Sequence, residues 1–304
     1  MTVFLRNMYA RLIAEITSEE MFADVSREWL TSTMTEVFPA LWEGLRTRPV
    51  SRVPIHPARG PWGQPGHVRG VLTISRNTPV DWRDSLYSER SWPRFLARLD
   101  EYPFGAMVTV NALDERGLPV DGGEADVHVA RDSSAPAWAE FTFGAPAVGT
   151  GWPESAPLQD EWAQFVKGQA ARIGACAGGM TDDNPGGAET GLERALHRGV
   201  RPLGGDLREV LRGYSWITIV APELVSRLGG AGVLAASGAF CEVSPLPDGS
   251  LWLRATPTVN EFTGARIHQV FEALAPVLLT GTAKLEYKAE RYRIVEGVDA
   301  ADYQ

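Results

Sequence analysis

Cysteine is nearly absent: the 304 residues hold two, Cys176 and Cys241. Two thiols so far apart build neither a disulfide scaffold nor a zinc knuckle, and the expected compartment is the reducing cytoplasm. Long apolar runs are missing, so no membrane span is expected. The opening MTVFLRNMYARLIAEI is broken by Arg11 and Glu15 and followed by no small-residue cleavage site, unlike a signal peptide. Positive charge is in deficit: 29 Lys and Arg stand against 38 Asp and Glu, for a formal net charge of −9. That excludes the basic footprint of non-specific nucleic-acid binding.

Catalytic signatures are missing too. There is no G-x-S-x-G, no phosphate loop and no G-x-G-x-x-G between strand and helix, so no catalytic residue and no cofactor is assigned. The histidines, His56, His67, His128, His197 and His268, show no i, i+4 pair and no neighbouring cysteine. The nearest approach to a metal site is Asp126 and His128 on one strand face with Asp132, borrowing His56 or His67 for a 2-His-1-carboxylate set. A solvated strand face accounts for the same residues, and no metal is expected.

What is present reads as folded protein. Hydrophobic residues make up 44% and charged residues 22%, near globular averages. Ten tryptophans point to core seams or an interface. Thr17 and Glu20 fit a capping box. Phe22, Val25, Trp29, Val37, Phe38, Leu41 and Leu45 then recur at helical spacing, with Pro39 set to kink the helix or start another. HVRGVLTIS, FGAMVTVNALD, EADVHVARD and AWAEFTFG read as strands, with a helix at SERSWPRFLARLDEY. Beyond the Gly- and Pro-rich 145–158, Leu158, Trp162, Phe165, Val166 and Ile173 mark a helix and GACAGGMTD a small-residue strand. YSWITIV is a buried strand holding Trp216. Pro222 opens a short helix, Gly229 and Gly230 cap it, and a hairpin turning at Asp248-Gly249 leads to a closing helix.

These elements predict an α+β fold of mostly antiparallel sheets with helices packed on one face. The strand-helix-strand-strand order in each half suggests pseudo-duplication. The expected domains are a helical segment 1–50, a first sheet-and-helix half 51–148 and a second half 149–304.

From FVKGQAARIGACAGGMTDD through SWITIV, LVSRLGG and GAFCEVSPLPDGSLWLRATPTVNEF to IHQVFEALAPVL, the chain resembles a family of bacterial type VI immunity-type proteins found beside polymorphic toxins. The likeness covers roughly residues 158–280 and rests on apolar and glycine positions. It implies a cytoplasmic immunity-like protein that neutralises a toxin by stoichiometric occlusion, with a protein partner and no catalytic motif. A basic toxin fits the negative charge. The residues singled out for contact are Asp182, Asp183 and Glu189, in a Gly-rich loop able to project. Two other readings stay open: an enzyme or accessory protein of specialised metabolism, and a structural or regulatory interaction protein.

Overall fold

The first described element is a strand, β1 (Asn7–Glu15), where the sequence reading placed none. Its pattern explains why: seven central residues are buried or nearly so, Arg11 included, and no alternation shows. The computed structural model describes residues 7–51, 53, 60–76, 81–132, 135–146, 156–183, 187–196, 207–283 and 293–304. By compactness the chain divides into two units, Met1–Met8 with Ile16–Trp152, and Tyr9–Glu15 with Pro153–Gln304.

In the first unit, α1 (Glu19–Ser32) starts one residue later than the expected capping box. Ser18, in extended backbone, is the cap; its hydroxyl accepts from the Met21 N–H at 3.0 Å. Thr17 turns its hydroxyl to the Met21 sulfur instead. Glu19 and Glu20 then sit in the first turn, where the helix dipole favours acids. A π-turn, Thr33–Val37, ends the helix, and Pro39 begins α2 (Pro39–Thr47), so the proline restarts rather than kinks.

Five antiparallel strands follow: β2 (Val68–Ser75), β3 (Trp82–Leu86), β4 (Gly105–Leu113), β5 (Pro119–Arg131) and β6 (Trp138–Pro146), with α3 (Ser91–Ala97) between β3 and β4. Their order is β3-β2-β4-β5-β6. Ala106, Val108, Val110, Ala125, Val127, Val129, Ala139, Phe141 and Phe143 are all buried, and the register puts them on one face. Against that face lies Trp29 of α1, its ring 6.1 Å from Phe141 and 5.9 Å from Phe143. Each such ring contributes about 1.5–3 kcal/mol through burial alone.

The second unit sets β1 beside β7 (Ala177–Thr181), β8 (Ile217–Val220), β10 (Leu251–Arg254) and β9 (Glu242–Pro245), in that order and antiparallel. Helices α4 (Ala156–Ile173), α5 (Gly191–Ala195), α6 (Pro222–Arg227), α7 (Ala231–Ala236) and α8 (Ala265–Leu274) complete it. Trp216 is fully buried and donates from Nε1 to the Thr256 carbonyl at 2.8 Å. Pro222 opens α6, and Gly229 and Gly230 follow it at φ +80° and +87°. Both units are α+β with antiparallel sheets, as the element order predicts.

Candidate functional site

Alternation along β4, β5 and β6 sends every second side chain away from the helices of the first unit. The register aligns Asp84, Thr73, Met107, His128 and Thr142 in one row across the sheet, and Thr109 with Asp126 in the next. Glu124 and Glu140 lie on the same face. Glu124 and Asp126 are exposed; Asp84, His128 and Glu140 are half-buried. The Trp82 ring stands 5.9 Å from His128 and passes over Gly105, where an added Cβ would approach it to 3.1 Å. The face thus combines four carboxylates with an indole and an imidazole.

Its electrostatics follow from this crowding. Partial desolvation, then repulsion from Asp126 and Asp121, raises Glu124 above the ordinary carboxylate range. Asp126 is reachable by solvent yet has crowded surroundings, which raise it too, against a hydrogen bond from Thr109. His128 moves the other way: burial lowers it and Glu140 opposes. Asp126 and His128 share a strand face, but Asp132 is buried in a turn, accepting from the Ala135 N–H at 3.2 Å. His56 and His197 lie outside the described residues, and His67 has its Nδ1 3.1 Å from the Pro65 carbonyl. Among the described residues no group of three or more His, Cys, Asp or Glu comes together to hold a metal.

The second unit houses the acids singled out in the sequence. Strand β7 runs between β1 and β8 with Gly178 and Gly179 at φ +129° and +149°. A Cβ at these positions would lie 2.0 Å from the Arg11 carbonyl oxygen and 1.9 Å from that of Ile217. Only glycine permits so close an approach. The strand then delivers Asp182 and Asp183 inward. Asp182 accepts from Arg293 at both oxygens, Nε at 2.5 Å and Nη2 at 2.6 Å. Asp183 accepts from the Thr181 hydroxyl and, at 3.0 Å, from the Gly191 N–H. Burial first, against the Thr181 hydrogen bond, raises its carboxyl to about 6. The expectation of projecting side chains is therefore corrected for these two, which are 3% and 1% exposed. Glu189 is half-buried, and residues 184–186 between them lie outside the described residues.

Nearby, Glu193 closes a capping box with Thr190 and accepts from Arg11 Nη1 at 3.0 Å, which is how a strand interior tolerates an arginine. Arg11, Thr190, Glu193, Ser215 and Thr218 line a cavity of about 40 Å³. That is room on the scale of a few waters, and the buried Ser215 hydroxyl, which has no partner among the described residues, suits one. Cys176 is buried beside β1 and its thiol is pushed up to about 11, the state of an inert cysteine.

Sequence reasoning marked Asp126 and His128 only as metal candidates, paired Glu124 with Glu140 only as acids across a hairpin, and missed Asp84 as a neighbour on the same surface. The period-two alternation of β5 was visible; the pairing that gathers three strands was not.

No family model and no curated protein matches the sequence. Among solved structures, a Pseudomonas aeruginosa T6SS protein is similar in fold, with a TM-score of 0.55 at 13% identity over 98% of this chain and 80% of that one. The toxic C-terminal tip of CdiA from Pseudomonas aeruginosa, in complex with immune protein, aligns with a TM-score of 0.27 at 9% identity, over 59% of this chain and 86% of that one. A score that low describes no shared fold.

Proposed function

We propose that this chain is an immunity-like binding protein that neutralises a protein toxin by stoichiometric occlusion in the cytoplasm. The observation that carries this is one sheet face of the first unit, where exposed Glu124 and Asp126 and half-buried Asp84 and Glu140 share a face with Trp82 and His128. Carboxylates steer and select a basic partner, and an indole supplies the apolar anchor that holds it. The net charge of −9 extends the same field beyond the face. Fold likeness to a T6SS protein supports the setting, and we carry that setting over as part of the proposal. Glu189 remains in the proposed contact set; Asp182 and Asp183 act within the scaffold, binding Arg293 and the first residue of α5.

The test is coexpression with the product of the neighbouring gene. Protection of the host from that product, together with a complex of fixed stoichiometry by native mass spectrometry, is the expected result. Protection without a complex, or turnover of a small molecule by the pure protein, contradicts the reading.

A further inference from the structure

In a chain with nine surplus negative charges, one groove of the first unit is positive. Arg83 of β3, Arg94 of α3 and the flanking Arg90 and Arg98 line a groove of about 430 Å³, with Leu72 and Phe95 at its floor and Asp84 as its one acidic lining residue. The backbone is right-handed helical from Arg90 through Arg98, so the three helix arginines recur at i, i+4 and i+8 on one side. All four are exposed. Among the described residues no carboxylate comes within ion-pair distance of Arg90, Arg94 or Arg98, and Arg83 reaches only Asp81, at 3.9 Å. Like charges at i, i+4 repel and weaken a helix. A local arrangement that works against its own helix points to a role outside folding.

We propose that this groove binds an extended acidic peptide segment of a partner, with carboxylates at alternate positions. The spacing fits: four residues of helix advance about 6 Å, and alternate residues of an extended chain recur about every 6.6 Å. Each guanidinium can then meet successive carboxylates, with paired N–H donors suited to them. On the strand side lies β3, the end strand of the described sheet order. The serines beside it are less available: Ser91 donates to the Leu86 carbonyl at 2.9 Å and Ser85 to that of Leu72 at 3.4 Å. A single-stranded nucleic acid has similar charge spacing, but it binds through exposed aromatic platforms. Phe95, the aromatic residue of this groove, is buried, and the net charge of the chain opposes a polyanion that extends past the groove.

This site meets the acidic face at Asp84, which lines both, but its arginines lie outside that face and it does not depend on the toxin reading. Fluorescence anisotropy tests it with a labelled peptide of alternating glutamate and serine, a lysine-serine counterpart and a labelled thymidine oligonucleotide. The glutamate peptide is expected to bind, with affinity falling as salt rises. Arg90→Ala/Arg94→Ala is expected to weaken it roughly tenfold, with the melting temperature unchanged or raised because a repulsive pair is gone. Neutralising Glu124 and Asp126 is expected to leave this binding in place. Glutamate-peptide binding no tighter than that of the lysine peptide, unchanged binding by the double variant, or tighter binding of the oligonucleotide would each overturn the proposal.

Discussion

Asp182 and Asp183 are neighbours in sequence with different chemistry. Asp182 is held by a guanidinium on both oxygens, whereas Asp183 has only a hydroxyl and an amide and lies fully inside. Its carboxyl is raised from 3.8 to about 6, so the folded chain holds a proton that the unfolded chain has released. The stability tied to that proton is complete below the unfolded value and is lost as pH rises through the folded one. Asp183→Asn cannot titrate. Its unfolding free energy relative to the parent's is therefore expected to climb between pH 4 and pH 7, by an amount on the order of 2 kcal/mol. The hydrogen bonds lost to the amide shift both ends alike, so the slope is the readout; parallel curves would show that Asp183 does not carry the proton. Nothing in TDDN announced this interior. Arg293, the partner of Asp182, is distant in the chain, and acids followed by asparagine and glycines have the composition of a solvated loop.

At the scale of elements, local chemistry was readable wherever a short stretch decides the outcome. Pro222 at the helix start, the left-handed Gly229 and Gly230, and the buried Trp216 are dictated within a few residues. Two strands were missed for opposite reasons. In β1 burial is almost continuous, so periodicity is lost; β3 is short and charged, and only alternation between half-buried Trp82, Asp84, Leu86 and exposed Arg83, Ser85 marks it. The glycines of β7 looked like a small-residue strand, and their reason is the backbone on either side. Gly179→Ala places a methyl 1.9 Å from the Ile217 carbonyl oxygen at φ +149°, where backbone and not a flexible side chain must move. The expected loss exceeds about 3 kcal/mol, in the range of strained or overpacked interior substitutions, read by chemical denaturation. Gly168→Ala on α4, where an added Cβ meets nothing within 4 Å, is expected to be neutral or stabilising. Equal behaviour of the two variants would mean that β7 is free to shift.

For the whole molecule, composition set the sign of the charge but not its distribution. Twenty-nine cations against 38 acids say only that the chain is acidic. Folding gathers Asp84, Glu124, Asp126 and Glu140 on one sheet face and Arg90, Arg94 and Arg98 along one helix. That segregation separates a steering surface from a uniformly soluble one. The most direct test is the association rate with the proposed toxin partner, the product of the neighbouring gene, across a salt series. The parent is compared with Asp84→Asn/Glu124→Gln/Asp126→Asn/Glu140→Gln. If the acidic face steers recognition, the parent's on-rate falls steeply as salt rises, and the quadruple variant associates about tenfold more slowly at low salt with a flatter dependence. An on-rate indifferent to salt and equal in the two proteins contradicts the account.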